Sequence, residues 1–502
     1  MDNFTRYKPL RNLLRQYNLQ GSLEDLWFYF QMYEGAFPMA WIWDGRRRVP
    51  IKERIFKWEL AVLSRELVLH ASPTGALRLS PIQGLIRLTN MLKSVDNNMA
   101  KDNISPESAY NSLSATGQLQ FAWQRNREFN ALMRYYKVFS APAVEALLTR
   151  QTGVTTREWF LVGFAIAGHL RTHFGISNRQ DYSPVGIELA RSQTVFEKLS
   201  QPLVALQEEF NKAARYDDTW MYTWNPLAAK PLVSLNPKAP HHLHCPVPAF
   251  VLSRVSQGLY YEISAAEGFN NPFGASFQAY VGEVLAATFP SPRFDLLEER
   301  EYKVGRATKH GADWILTDDQ ANLFLECKAK RMTQDAKSAV DPAIIGQQVD
   351  FLAKAVVQLY KNIADALAGH TQWQPNNRPV YPVVVTLEDW YLFGPSADLL
   401  KESVETRMAE ARLDLDWLRT MPYSVASCQD FEDVSPTIAE VGIGAFFAER
   451  SPQHLTWMLQ AFARELFPEV YRRTVHRDLF EDEWANIVPL RVLPEKFRRQ
   501  ET

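Results

Sequence analysis

The stretch GADWILTDDQANLFLECKAKRM, residues 311–332, constrains the fold more than any other part of this sequence. Two runs rich in apolar residues flank a short polar segment, which is the pattern of two strands joined by a tight turn. Side chains alternate between the faces of a strand, so Glu326 and Lys328 share one face while Cys327 points into the core. The register of such a hairpin can bring Asp313 close to Glu326.

These charged residues have a chemical use together. Two carboxylates held side by side, here Asp313 and Glu326, repel each other unless a cation lies between them. Carboxylate oxygens suit Mg²⁺ or Mn²⁺, with phosphate oxygens and waters completing the shell. Lys328 could stabilise charge developing on a phosphate, or orient and help deprotonate the attacking water. The alternative is a solvent-facing sheet whose cross-strand ion pairs contribute about 0.2–1 kcal/mol each.

The elements around the stretch have a definite order. Residues 271–289 show helical periodicity, three short strand candidates follow in LLEEREYKV, ADWILTD and NLFLECKA, and then come a long helix and the strand 381–389. The chain also contains Glu301-Tyr302-Lys303, a second Glu-x-Lys pattern. That copy has no Asp one hairpin upstream, so the spacing of Asp313 from Glu326 distinguishes the two.

Gly311-Ala312-Asp313, followed after twelve residues by Glu326-Cys327-Lys328 within this helix and strand order, resembles the PD-(D/E)XK nuclease superfamily. The resemblance covers roughly residues 261–393. It implies a restriction-endonuclease-like αβββαβ core and Mg²⁺ bound by Asp313, Glu326 and the backbone carbonyl of Cys327. It also implies that Lys328 is the catalytic lysine.

The resemblance has departures. Ala312 stands where the motif is named for a proline. Many members carry a catalytic and metal-binding Glu on the first helix, for which Glu283 is preferred here over Gln278. Only one of these two can reach a metal ion, because they lie on different faces of the helix. Some branches of the family have Gln-x-x-x-Tyr on the second helix, whereas Gln347 is followed by Phe351.

Basic residues beside the motif, and two glutamines of the second helix, are the predicted substrate contacts. They are Lys303, Arg306, Lys309, Lys330, Arg331, Gln347 and Gln348. A separate basic group in residues 46–54 is interpreted as a solvated face. The run HHLHC, residues 241–245, lacks a second ligand pair at zinc-finger spacing and is interpreted as a structural linker.

The sequence predicts several domains, with an α plus α/β architecture. Helical periodicity and a capping box of Thr155 with Glu158 predict an all-α N-terminal domain over 1–223, including a long helix that opens at Pro184. Residues 224–260 are proline-rich and predict an extended connector. The nuclease-like domain then covers 261–395, and a mostly helical extension covers 396–502.

The composition indicates the cellular environment and the kinds of partner to expect. Basic and acidic residues number 55 and 57, so no global field attracts nucleic acid or a membrane, and any polyanion must meet a local patch. Three widely spaced cysteines do not look like a disulfide framework, which favours a cytoplasmic protein. The longest apolar run is too short to span a bilayer, so no membrane association is expected.

The leading hypothesis is an Mg²⁺- or Mn²⁺-dependent nuclease acting on DNA, and analogy with the family suggests bacterial defence against foreign DNA. A homodimer or a regulatory protein partner would suit such an enzyme. RNA cleavage by the same site stays open, because the triad acts on phosphate and does not specify the sugar. A non-catalytic binding scaffold on a nuclease-like fold is the third hypothesis. No P-loop is present, so ATP dependence is not expected.

Overall fold

The computed structural model describes residues 3–100, 115–121, 123, 128–333, 337, 342–392, 394–450, 454, 457–475 and 477–487. It is a mixed α/β structure, largely helical, with several small sheets. The helices are α1 (Asn3–Leu14), α2 (Leu19–Tyr33), α3 (Lys57–His70), α4 (Ile82–Ala100), α5 (Glu128–Ser140), α6 (Pro142–Thr152), α7 (Thr156–His169), α8 (Leu189–Leu199), α9 (Leu203–Ala213), α10 (Ala249–Val255), α11 (Tyr260–Ile263), α12 (Asn270–Thr288), α13 (Pro342–Leu367), α14 (Pro395–Glu410), α15 (Trp417–Thr420), α16 (Cys428–Val441), α17 (Ile443–Phe447), α18 (Leu459–Leu466), α19 (Pro468–Thr474) and α20 (Glu481–Ile487).

The strands are short, and the longest of them lie at the centre of the largest sheet. They are β1 (Trp41–Trp43), β2 (Arg48–Pro50), β3 (Gly175–Ser177), β4 (Ser200–Pro202), β5 (Leu232–Ser234), β6 (His242–His244), β7 (Asp295–Glu298), β8 (Glu301–Val304), β9 (Ala307–His310), β10 (Trp314–Thr317), β11 (Asn322–Lys328), β12 (Val380–Thr386) and β13 (Ser424–Ser427).

The largest sheet has five strands in the order β13-β12-β11-β10-β7. β7, β10 and β11 are antiparallel neighbours, whereas β11, β12 and β13 run parallel. Every residue of β12 is buried, as expected for a strand covered on both faces. The predicted hairpin of ADWILTD with NLFLECK is therefore confirmed.

Helices cover both faces of this sheet. Leu323 and Leu325 of β11 belong to an apolar cluster that contains residues of α12 and α16. Phe324, between them, belongs to a second cluster formed with α13 and α14. The strict alternation follows from the period of two along a strand. It fixes the face that carries Asp313 and Glu326 as the one that α13 covers.

The predicted strand LLEEREYKV is not a single strand. It breaks into β7 and β8, and only β7 joins the five-stranded sheet. β8 pairs with β9 in a separate hairpin whose turn contains Gly305 at a φ of 60°, a conformation that favours glycine. The chain leaves the five-stranded sheet at Glu299 and Arg300, the two residues between β7 and β8.

The N-terminal region is mostly helical, but the expectation of an all-α region is wrong. It contains the β1–β2 hairpin and the strands β3 and β4, which join a four-stranded sheet of order β3-β6-β5-β4. The long helix predicted from Pro184 is two helices, α8 and α9, separated by β4. Pro202 ends that strand; it has no N–H to donate and disfavours helix at the residue before it. The capping box of Thr155 and Glu158 at α7 is confirmed.

The proline-rich segment 224–260 is an integral part of the fold, because it supplies β5, β6 and α10. Leu232, Leu243 and Cys245 are buried with the α5–α8 helices. The same apolar cluster continues into α12, α16 and the five-stranded sheet, so one core crosses the predicted boundary at residue 223. Where the domain boundaries lie therefore stays a prediction.

Buried polar contacts fasten this shared core. Arg134 of α5 and Glu432 of α16, each almost fully buried, form a two-pronged ion pair at 2.8 and 2.6 Å. The hydroxyl of Tyr280 on α12 donates to the same carboxylate at 2.8 Å. Ser276 Oγ of α12 donates to the carbonyl of Val138 at 2.8 Å. Within the described part of the chain, no helix combines the length and apolarity that a membrane crossing requires.

Candidate active site on the central sheet

The register of β10 against β11 places Asp313 across from Glu326. Trp314 pairs with Leu325 in this antiparallel ladder, so the residue before Trp314 faces the residue after Leu325. Residues directly opposite each other in an antiparallel pair project from the same face. The two carboxylates therefore lie on one face of the sheet, next to α13.

Burial and repulsion make both carboxylates hard to ionise. Glu326 is 1% exposed, and burial followed by the charge of Asp313 raises the pKa of Glu326 to about 8. Burial also raises the pKa of Asp313 to about 6. Glu326 Oε2 is buried and has no hydrogen-bond partner among the described residues. A cation beside this free oxygen would relieve both penalties.

Cys327 supplies backbone groups to the site. β10 begins at Trp314, so the backbone N–H of Cys327 donates instead to Asp313 Oδ2 at 2.5 Å. The N–H and C=O of one strand residue point to the same side, so its carbonyl also points toward the β10 edge. The thiol packs against the apolar core, and burial raises its pKa well above the usual range, which confirms the sequence interpretation of the side chain.

Lys328 lies on the same face as Glu326, two residues further along β11. Its ammonium donates to Glu326 Oε1 at 2.5 Å and to Gln358 Oε1 of α13 at 3.3 Å. Burial opposes the charged form, but the carboxylates of Glu326 and Asp313 outweigh it and raise the pKa of Lys328. The lysine therefore keeps its charge at neutral pH while 21% of its side chain remains exposed.

Sequence reasoning missed a third carboxylate. Glu299 follows β7 directly, and its backbone N–H donates to the carbonyl of Asp313 at 2.9 Å. Its charge contributes to the raised pKa of both Asp313 and Glu326. Glu299 Oε2 accepts a hydrogen bond from Gln278 Nε2 of α12 at 3.2 Å. The missed signal is its position at the end of an apolar strand that pairs with β10.

The structure does not bring Glu283 to this site. Its carboxylate is paired with Lys137 of α5 at 2.7 Å. Five positions along an α-helix turn the side chain by roughly 140°, so Glu283 and Gln278 cannot face the same neighbour. Gln278 is the residue of α12 that reaches the carboxylates, through Glu299. The preference for Glu283 as a catalytic and metal-binding residue is corrected accordingly.

Three of the predicted substrate contacts lie on the β8–β9 hairpin. Lys303 and Arg306 are exposed, the latter in the turn. Lys309 is paired with Asp365 of α13 at 2.7 Å, and the hydroxyl of Tyr302 donates to the same carboxylate at 2.8 Å. The hairpin begins two residues after Glu299, and His310 Nδ1 of β9 lies 3.2 Å from Glu299 Oε1.

Lys330 and Arg331 differ in their exposure to solvent. The ammonium of Lys330 lies over the ring of Phe351, 4.4 Å from its centroid, and its side chain is exposed. Arg331 is buried, forms an ion pair with Glu388 and donates to the carbonyl of Gln257 at 2.9 Å. Its guanidinium is held in the interior by these partners, so the prediction that Arg331 contacts substrate is wrong.

The two glutamines of α13 are separated from the catalytic candidates. Gln347 is exposed and lies on the same helical stripe as Gln358, three turns away, which is about 16 Å along the axis. Gln348 is buried, and its Oε1 has no hydrogen-bond partner among the described residues. Neither contacts Asp313, Glu326 or Lys328, and Gln358 is the α13 residue that does so.

The donor set fits a hard divalent cation only in part. The described residues contain no group of three or more His, Cys, Asp or Glu side chains arranged to hold a metal ion. The carboxylates of Asp313 and Glu326 and the Cys327 carbonyl are oxygen donors of the type that Mg²⁺ and Mn²⁺ prefer. Such ions usually keep several waters and take substrate phosphate oxygens, so a few protein ligands suffice.

Comparison of the chain with protein-family models, with curated protein sequences and with solved structures gave no match. The function of the chain is therefore inferred from the geometry of these side chains.

Proposed function

We propose that this chain is a metal-dependent nuclease that hydrolyses phosphodiester bonds of DNA. The observation that carries the proposal is the placement of Asp313 opposite Glu326, with the Lys328 ammonium 2.5 Å from Glu326 and an oxygen of Glu326 that has no hydrogen-bond partner among the residues the structure describes. Buried charges of this kind destabilise a fold, so a chemical role is the simplest explanation for keeping them together.

The architecture around these residues supports the proposal. One helix, α12, precedes β7, β10 and β11, and the long helix α13 and the parallel strand β12 follow, with the β8–β9 hairpin inserted. This order supports the αβββαβ core that the resemblance to the PD-(D/E)XK superfamily implies. A role in bacterial defence is an extension by analogy.

Each residue has a distinct task in the proposed reaction. Asp313, Glu326 and the Cys327 carbonyl would hold Mg²⁺ or Mn²⁺, which polarises the phosphate and lowers the pKa of water when bound. Lys328, kept protonated by the carboxylates, donates hydrogen bonds to the phosphate oxygens on which charge develops. Gln358 fixes the direction of that ammonium. Lys303, Arg306 and Lys330 are exposed and would contact neighbouring phosphates.

The test is cleavage of matched single-stranded DNA, duplex DNA and RNA, with Mg²⁺, with Mn²⁺ and with EDTA. Glu326→Gln and Lys328→Met should each lower the cleavage rate by roughly a hundredfold or more, since each removes a group from the reacting centre. Glu301→Gln, in the second Glu-x-Lys pattern, and Lys212→Met, at an exposed position of α9, are the matched controls. Full activity in Lys328→Met, or cleavage that survives EDTA, would refute the proposal; preference for RNA would change the polymer and keep the site.

A further inference from the structure

The β1–β2 hairpin in the N-terminal region displays two tryptophans to solvent. Trp41 is 54% exposed and Trp43 is 67% exposed. Between them Ile42 turns inward, and its cross-strand partner Val49 is 1% exposed. The strand alternation thus anchors the ribbon by its inner face and leaves both indoles on the outer one. No described aromatic ring packs against either indole.

Basic residues share the outer face with these indoles. Arg48 pairs with Trp43 in the register, so both project outward. The turn that joins the strands has Gly45 at a φ of 96° and is closed by Asp44 Oδ1, which accepts from the N–H groups of Arg46 and Arg47 at 2.9 Å each. This turn holds the basic tip in a defined position next to the tryptophans.

The charge of the ribbon is not balanced locally. Asp44 and Glu53, the acidic residues of segment 41–58, are occupied by Arg54 at 2.6 Å and Arg47 at 3.6 Å. Arg46, Arg48 and Lys52 form no ion pair with a carboxylate in the part of the chain that the structure describes. The interpretation of this group as a solvated face is right about exposure, but it left out the two indoles beside the charges.

We propose that the outer face of the β1–β2 ribbon binds single-stranded nucleic acid. Trp41 and Trp43 stand about 7 Å apart on one strand face. Each can stack one base of an extended strand, while Arg46, Arg48 and Lys52 meet its phosphates. Bases of a duplex are stacked on each other and cannot cover an indole in this way. The proposal rests on the proposed nuclease function and adds a substrate class to it.

A lipid surface is the other partner that exposed indoles and cations suggest. The ribbon fits it less well, because Asp44 lies at the tip and Arg48 lies on the same face as Trp43. Insertion of the indoles into the headgroup region would carry these charged groups with them. Single-stranded nucleic acid instead uses both the rings and the cations.

The experiment separates binding from cleavage by measuring polarisation of end-labelled oligothymidylate with the full-length protein in EDTA. Trp41→Ala and Trp43→Ala should each weaken binding by about tenfold, and Trp43→Phe should keep most of it. Trp457→Ala, which removes a 41% exposed indole elsewhere, is the matched control. Arg46→Ser with Arg48→Ser should lower the slope of log affinity against log salt by about 0.7 for each phosphate that these arginines neutralise in the wild type.

The binding role of the ribbon and the proposed nuclease function can be refuted separately. Unchanged affinity in Trp41→Ala and Trp43→Ala, or tighter binding of a matched duplex than of oligothymidylate, overturns the inference even if the protein cleaves DNA. Binding that depends on the tryptophans in a protein without nuclease activity would refute the proposed function and leave the surface standing. Tryptophan variants that no longer bind phosphatidylserine vesicles, with oligothymidylate binding unchanged, would assign the ribbon to lipid and overturn the inference.

Discussion

Glu326→Gln should make the metal-free protein more stable at neutral and alkaline pH. The folded state raises the pKa of Glu326 from 4.5 to about 8, so the folded protein holds a proton that the unfolded chain releases. Stability is therefore highest below pH 4.5 as far as this group is concerned, falls as the pH rises toward 8, and is level above it. Gln cannot ionise and escapes that loss.

The size of the stability difference follows from the shift in the pKa of Glu326. At pH 7 the unfolded chain gains about 3 kcal/mol from ionising Glu326, because each pH unit above 4.5 is worth about 1.4 kcal/mol. With a pKa of about 8, Glu326 is mostly protonated in the folded protein at pH 7, and the amide oxygen of Gln can accept from Lys328 as the protonated carboxyl does, so the substitution offsets little of this gain. We therefore expect the free energy of unfolding of Glu326→Gln to exceed that of the wild type by about 3 kcal/mol at pH 7.

Urea unfolding in EDTA at pH 4.5, 6 and 8 checks this expectation. The difference between the two proteins should grow with pH and vanish near pH 4.5, and Glu301→Gln, a matched exposed carboxylate, should show no such trend. Saturating Mn²⁺ should stabilise only the wild type and so reverse the order. A Glu326→Gln variant that is less stable than the wild type at pH 8 would refute the argument from burial and repulsion.

Three particular contacts each support a further prediction. Gly282→Ala should lower the free energy of unfolding by about 1–3 kcal/mol and also lower cleavage, because the added Cβ would lie 2.1 Å from the ring of Trp314, the residue after Asp313. Gly274→Ala on the same helix is the control: its Cβ would meet nothing within 4 Å, so thermal unfolding should show no change. Arg134→Ala should lose about 3–5 kcal/mol in urea by leaving the Glu432 charge buried alone, whereas Arg472→Ala, from an exposed pair, should lose under about 1 kcal/mol. Arg331→Met should lower the unfolding temperature and leave the affinity for oligonucleotide unchanged; weaker binding in a stably folded variant would restore the residue to the substrate surface.

The sequence predicts the local features of the site well. A hairpin with a period of two determines which side chains share a face, so Asp313, Glu326 and Lys328 could be placed together from the sequence alone. Features that depend on tertiary packing were missed. Gln358 meets Lys328 across thirty positions of sequence, and nothing near Gln358 distinguishes it from the other polar residues of α13.

The fold shows the same difference between features that depend on neighbouring residues and features that depend on tertiary packing. The capping box at α7 and the run of strands depend on neighbouring residues and could be read directly. The small sheet of β3, β4, β5 and β6 could not, because its strands have three residues each and join segments from either side of Pro202. Arg331 was expected to be available because it follows other basic residues, yet its ion-pair partner Glu388 lies two residues past the end of β12, more than fifty positions away in sequence.

The buried pair between Arg134 and Glu432 also limits how the protein can be shortened. A chain that starts after residue 223 would lose α5–α8, which pack against α12. The carboxylate of Glu432 would then be left without its arginine, and the apolar surface on which Val138 and its neighbours pack would be exposed to solvent. A shortened protein that stays in solution would have to start before α5. Separately expressed halves, cut in the exposed turn near Lys238, offer the alternative of reassembly through the same contacts.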